Sequence, residues 1–153
     1  MTLEEFTDEW LRDSPIKPPI HSYQQVSGYV GLTLYRDDRF QVQMWTFPPY
    51  SEVTEHSHPD VDSILVKVTG KFRLILNGKW MSPREVTRTQ WRGMNTWMTG
   101  IKANDRHGVR VGGEGASFLS ISERLDGLPP ESVHMVWEGP PLDEAHAAEL
   151  ENH

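Results

Sequence analysis

The chain is written in short apolar–polar alternations cut by turn residues, and that pattern excludes most architectures. Val30–Tyr35 reads VGLTLY and Phe40–Phe47 reads FQVQMWTF. Successive side chains of an extended chain point to opposite faces, so such runs are strands. Arg36-Asp37-Asp38-Arg39 joins the pair as a hairpin turn. Ser63–Val68 and Lys71–Leu76 are two more expected strands around Gly70, and Asn77-Gly78 is the strongest hairpin signal in the chain. Short strands are expected near Thr96–Ile101, Gly108–Val111 and Ser117–Glu123, with Gly112-Gly113-Glu114-Gly115 as a turn. No long helical period separates these strands, which rules against a doubly wound α/β fold. Many short strands with regular turn signals indicate an antiparallel sandwich or barrel.

The ends read differently. Thr2-Leu3-Glu4-Glu5 is a capping box, and a short helix should follow to about Arg12 with Leu3, Phe6, Trp10 and Leu11 on one stripe. Ser14-Pro15 ends it, and Pro18-Pro19 keeps the next stretch extended. The aromatic stripe should pack on the barrel or on a partner subunit. Beyond Pro129-Pro130 the tail is irregular, and Leu142–Leu150 is expected as a short terminal helix. The divisions are therefore an arm over 1–29, a barrel over 30–125 and a tail over 126–153.

One pair of residues inside this pattern carries chemistry. His56-Ser57-His58 lies between Pro48-Pro49 and the run Ser63–Val68. Histidines two apart on a strand share a face, with Cβ atoms roughly 6.5–7 Å apart. Two imidazoles so placed can converge on one ion at metal–nitrogen distances of about 2.0–2.1 Å. Asp62 lies across the Pro59-Asp60 turn and can return a carboxylate to the same ion. The chain has seven histidines, so one His-x-His pair could arise by chance. Context separates this pair, together with His107 in a hairpin setting. His21, His134, His146 and His153 lack that context and read as surface or capping residues.

These residues resemble the first signature of the cupin superfamily, a Gly followed by His-x-His, three or four residues, a Glu and six residues to a second Gly. His56, His58 and Gly70 match. Asp62 stands where Glu is usual, seven residues rather than six separate it from Gly70, and Tyr50 stands where the first Gly is usual. The second signature, P-x-G-x-x-H, is met in part around His107, with Lys102 and Asn104 replacing the Pro and Gly. Asn still suits a left-handed turn position. The resemblance spans roughly Val30 to Glu123. It implies an all-β fold, a single antiparallel jelly-roll barrel with short N- and C-terminal helices, and a site inside the barrel that binds a small-molecule substrate. It also implies a metal held by His56, His58, Asp62 and His107. Asp is one methylene shorter than Glu, so Asp62 either ligates or accepts a hydrogen bond from a ligating imidazole.

Imidazole and carboxylate without sulfur suit a divalent transition metal: Fe(II) first, with Mn, Ni, Zn or Cu as alternatives. The absence of Cys removes thiolate ligands and disulfides. Such a set leaves positions open for substrate or dioxygen. The expected function is therefore a metal-dependent oxidoreductase of the dioxygenase type. A cupin isomerase or decarboxylase and a non-catalytic binder are the alternatives. Arg36, Arg73, Arg88, Arg92, Arg106 and Arg110 are candidates to hold an acidic substrate group, weighed against the ordinary reading of each as a solvated surface charge. On Phe40–Phe47, one face carries Gln41, Gln43, Trp45 and Phe47, the other Val42, Met44 and Thr46; the sequence does not say which looks inward. Trp80, Trp91 and Trp97 read as core or subunit contact before lid or rim.

Net charge of −7 and a pI near 5.4 argue against nucleic acid or an anionic membrane as partner. No apolar run is long enough to span a bilayer, and MTLEEFTDEW has no apolar signal core, so a cytoplasmic protein is expected. The short aromatic helix and the edges of a barrel lead to the expectation of a homodimer.

Overall fold

The structure is a computed structural model that describes residues 1–20, 22–26, 28–125, 127 and 136–137. The order is α1 (Leu3–Asp13), β1 (Tyr23–Val26), β2 (Tyr29–Arg36), β3 (Phe40–Phe47), β4 (Glu52–Ser57), β5 (Val61–Leu76), β6 (Lys79–Trp80), one 3-10 turn (Pro83–Glu85), β7 (Thr87–Trp91), β8 (Met94–Ile101), β9 (His107–Arg124) and β10 (Val136–Trp137). Every strand pairing described is antiparallel. No helix among the described residues is long and apolar enough to cross a membrane.

The capping box forms as expected: Glu5 N–H donates to Thr2 Oγ1 at 3.1 Å, and Thr2 N–H donates to Glu5 Oε1 at 2.9 Å. The helix ends one residue later than expected, where Ser14 takes a left-handed φ of 45°. Its stripe is buried against the chain's own barrel. Phe6 stacks on Phe40 with ring centroids 4.2 Å apart, and Trp10 tilts on Trp91 at 6.0 Å. Of the two docking surfaces open to this helix, the barrel is the one used.

Two expectations are corrected. Gly70 does not separate two strands, and Gly112–Gly115 is not a hairpin turn. β5 and β9 each run through their glycines as one long strand. The reason lies in their crossing. Gly70 has φ +76° and Gly115 has φ +72°, and a Cβ on Gly70 would fall 2.0 Å from the Gly115 carbonyl oxygen. Only glycine permits that approach and that φ. At this crossing the register jumps from Val111 opposite Phe72 to Ala116 opposite Gly70. It is a bulge, which bends both strands. The far halves of the two strands lie in the sheet β1-β2-β3-β9-β5-β8-β7. The near halves join β4 and β6, with β10 on the outer side of β4. The Asn77-Gly78 hairpin forms as expected, with φ of 50° and 81°.

Side chains from both halves fill the space between the sheets: Phe47, Leu65, Phe72, Leu74, Trp97, Val109, Val111 and Phe118. A second apolar cluster lies on the opposite face of the larger sheet, where Val42, Ile64, Val66, Leu119 and Ile121 meet α1. This decides the orientation of β3. Trp45 and Phe47 pack into the barrel, while Val42 and Met44 lie under the helix. Gln41 and Gln43 therefore share the inward face. The expected helix Leu142–Leu150, and His21, His134, His146 and His153, lie outside the described residues. The tail carries one element not expected from sequence: Val136 and Trp137 pair with Ser57 and His56.

Candidate metal centre

Two strands and one loop bring three histidines together. His56 on β4 sits opposite His107 at the start of β9. His107 lies on the same face of β9 as Val109 and Val111, which are core residues of the barrel. A register irregularity between Val53 and His56 sets the face of β4. Ring centroids are 4.2 Å apart for His56–His107, 5.0 Å for His56–His58 and 5.3 Å for His58–His107. One nitrogen from each ring lies within 4.8 Å of the others, a spacing that can hold one metal ion.

The backbone fixes two tautomers. His56 Nδ1 lies 2.9 Å from the Thr54 carbonyl, and His107 Nδ1 lies 3.0 Å from the Asp105 carbonyl. A carbonyl only accepts, so Nδ1 carries the proton in both rings and Nε2 keeps its lone pair for a ligand. Burial favours the uncharged rings. It pushes His56 down to about 4 and His107 down to about 3, each lowered further by neighbouring imidazoles. These two rings are neutral at pH 7, the form in which imidazole binds a metal.

The loop before β9 is held on several sides. Asn104 takes the left-handed φ of 70° that an Asn tolerates, and its N–H donates to the His58 carbonyl at 2.9 Å. Asn77 of the hairpin turn donates from Nδ2 to Asp105 at 3.0 Å and accepts from the Arg106 N–H at 2.9 Å. The strongest turn in the sequence thus braces the loop that presents His107.

Asp62 is the expected site residue that the structure does not bring into the group. Its Oδ1 accepts the Ala103 N–H at 2.8 Å. The short side chain reaches the neighbouring loop backbone, so Asp62 ties down the His107 loop. Sequence reasoning missed a second tie. Arg124 Nη2 lies 3.1 Å from Asp60 Oδ2, with the two side chains 1% and 9% exposed. The Leu125 N–H donates to the Asp60 carbonyl at 3.0 Å. This buried pair fastens the turn after His58 to the end of β9. Pro59-Asp60 marked the turn, but no local signal marks Arg124 as interior. Tyr50, which stands where the resembled signature has Gly, adopts a glycine-like φ of 62°.

The candidate arginines separate. Arg36 pairs in register with Gln41 and donates from Nε to Gln41 Oε1 at 2.6 Å. Arg73 and Arg110 face one another on the outer side of the smaller sheet, with Arg110 3.6 Å from Glu52. Arg106 lies 4.0 Å from Glu55, Arg92 packs over Trp91, and Arg88 is exposed. Trp91 and Trp97 are core, as expected, and Trp80 is half-buried beside Arg110.

No family model and no curated protein matches the chain. Solved structures do. KdgF from Halomonas sp. aligns with a TM-score of 0.53 at 17% identity, over 67% of this chain and 86% of that one. The polyketide cyclase RemF from Streptomyces resistomycificus aligns at 0.52 and 17%, over 82% and 83%. The cupin domain of Cnp3 from Schizosaccharomyces pombe aligns at 0.52 and 13%, over 69% and 70%. At these identities the likeness is one of fold. The chain has the double-stranded β-helix fold of the cupins, with three histidines gathered at one end of its barrel.

Proposed function

We propose that this chain is a metal-dependent enzyme acting on a small organic molecule inside the barrel, with dioxygen as co-substrate. His56, His58 and His107 hold one divalent transition metal, Fe(II) first, with Mn, Ni, Zn and Cu as alternatives. The observation that carries the reading is the convergence of three imidazole nitrogens, joined by no carboxylate among the described residues. Such a set leaves coordination positions open, whereas structural zinc sites are closed by four protein ligands. When bound, the ion supplies Lewis acidity and redox chemistry. The chain's own residues do the rest. Thr54 and Asp105 hold the protons on Nδ1 and orient the rings. Trp45, Phe47, Phe72 and Phe118 form apolar walls that limit water around the substrate.

A second reading is a non-oxidative reaction such as cyclisation or isomerisation. The structural neighbour described as a polyketide cyclase, matched over 82% of this chain, favours it. A homodimer is the proposed assembly. The ground for it is narrower than the sequence suggested, because α1 docks on its own barrel. What supports it is the edge position of β1 beside exposed Tyr23 and Leu32.

Elemental analysis of protein purified without chelator tests the site: His56→Ala with His58→Ala should remove stoichiometric metal. Fe(II)-loaded protein should consume oxygen only with substrate, and His107→Ala should abolish this. Metal binding and turnover without oxygen uptake would select the second reading. Tight binding of an unchanged small molecule, with neither, would make the protein a binder.

A further inference from the structure

The inward face of β3 carries two glutamines two residues apart, and each amide is engaged on one side. Arg36 Nε donates to Gln41 Oε1 at 2.6 Å. A guanidinium has no acceptor, so this contact fixes the Gln41 oxygen toward Arg36 and turns Nε2 away from it. Gln43 Nε2 donates to Thr33 Oγ1 at 3.2 Å, which leaves Gln43 Oε1 on the other side of its amide. Among the described residues, Gln41 Nε2 and Gln43 Oε1 make no hydrogen bond, and neither is among the sealed atoms without a partner. Both therefore open onto space. Gln41 itself is only 4% exposed, so for its amide that space belongs to the barrel.

The surroundings divide into two bands. Gln41 continues across the sheet into Ser122 and Ser63, and Gln43 into Ser120. Ser63 directly follows Asp62, and Ile101 beside it directly precedes the loop of His107, so this polar band lies at the histidine end. The next row toward the glycine crossing is aromatic, with Trp45 opposite Phe118. The Trp45 ring lies flat over Gly31, where a Cβ would fall 2.6 Å from it.

We propose that Gln41 and Gln43 are specificity-determining residues, a donor and an acceptor that select a neutral planar ligand bearing a carbonyl and an N–H or O–H on one edge. A lactam or a hydroxy-carbonyl compound fits. Gln41 donates to the ligand carbonyl, Gln43 accepts from its N–H or O–H, and the aromatic band packs on the ring. An ionised carboxylate offers acceptors only and sets its oxygen against Gln43 Oε1, so it is selected against. The inference rests on the barrel interior being the ligand chamber, and it does not require the metal.

The probes are 2-pyridone, which has both groups, and N-methyl-2-pyridone, which lacks the donor. Metal-free 15N-labelled protein is titrated with each while the side-chain amide signals of Gln41 and Gln43 are followed. The wild type should bind 2-pyridone saturably, shift both amides, and bind the N-methyl compound about tenfold more weakly, a factor worth about 1.4 kcal/mol. Gln41→Glu keeps an oxygen for Arg36 but replaces the donor, and should weaken 2-pyridone about tenfold or more. Gln41→Met replaces it if that variant does not fold. Gln43→Met should erase the preference between the probes. Absence of saturable binding, undiminished binding in the Gln41 variant, or a preference that survives in Gln43→Met overturns the inference. Zinc binding is measured on the same samples. Stoichiometric zinc with no response to 2-pyridone sinks this inference and leaves the metal reading intact; the reverse outcome sinks the metal reading alone.

Discussion

The two sheets of the barrel are joined twice, and the two joints are built from opposite materials. At the glycine crossing, β5 and β9 bend together around Gly70 and Gly115, and the neighbouring volume is filled by Phe47, Phe72 and Phe118. At the histidine end, the turn after His58 and the loop before His107 join the sheets through polar contacts: Asp62 to Ala103, Asn104 to His58, Asn77 to Asp105, and the buried Asp60–Arg124 pair. Apolar packing is non-directional and tolerates imprecision. Hydrogen bonds are directional and fix ring orientation to within a fraction of an ångström. The first joint holds the fold, and the second sets the geometry of the three histidines.

The sharpest way to break this contrast is Gly70→Val. The added side chain meets backbone at 2.0 Å, and backbone cannot yield as a flexible side chain does. Loss of a cooperative thermal transition is expected, from a penalty of roughly 3 kcal/mol or more. A folded Gly70→Val protein with unchanged melting would show that the crossing does not hold the barrel.

The histidine end should instead respond to pH. His56 and His107 have folded pKa values of about 4 and about 3, below the ordinary 6.5. The unfolded chain therefore binds more protons below pH 6.5. The stability these rings lend is complete above that pH and is lost as pH falls toward 4 and 3, at up to about 1.4 kcal/mol per pH unit for each ring. Denaturant melts of metal-free protein at pH 7, 6, 5 and 4 should show this, with a shallower slope in His107→Gln. Zinc loading at pH 7 should release almost no protons from these two rings, since both are already neutral; calorimetry in buffers of different ionisation enthalpy measures it.

Arg124→Met removes the guanidinium that faces buried Asp60 and should cost about 3–5 kcal/mol. Asp60→Asn combined with Arg124→Met should recover much of that loss. If the double variant is no better than the single one, the pair acts through something other than its charges. The smallest effect tests the role of Asp62. Asp62→Asn keeps an oxygen for the Ala103 N–H and should change metal affinity little, while Asp62→Ala should lower it about tenfold by loosening the His107 loop. Equal large losses in both would return the carboxylate to the metal.

The histidine trio was legible because its signals are local or ordinal: His56 and His58 by their spacing, His107 by its place in a recognisable order of motifs. Even the departure at Asn104 was readable, since a left-handed φ is a property of the residue type. Asp62 was legible as a carboxylate near the histidines, but its hydrogen-bond partner was not. Its partner is Ala103, more than forty positions away, and nothing in PDVDS says that a backbone amide will lie there. Gly70 was seen as an interruption, but a turn and a bulge use the same residue for the same φ.

Sequence alone determined the strand content, the capped N-terminal helix, the Asn77-Gly78 turn and the identity of three convergent imidazoles. The first three follow from backbone preferences or side-chain periodicity within a few residues, and the third imidazole from its place in the order of motifs. The tertiary structure decided which face of β3 looks inward, that α1 packs on its own barrel, that Asp60 meets Arg124 and that Asp62 stands outside the histidine group. Those outcomes depend on packing between segments distant in the chain, where the side chain that wins a site is chosen by the volume and hydrogen-bond partners that folding brings to it.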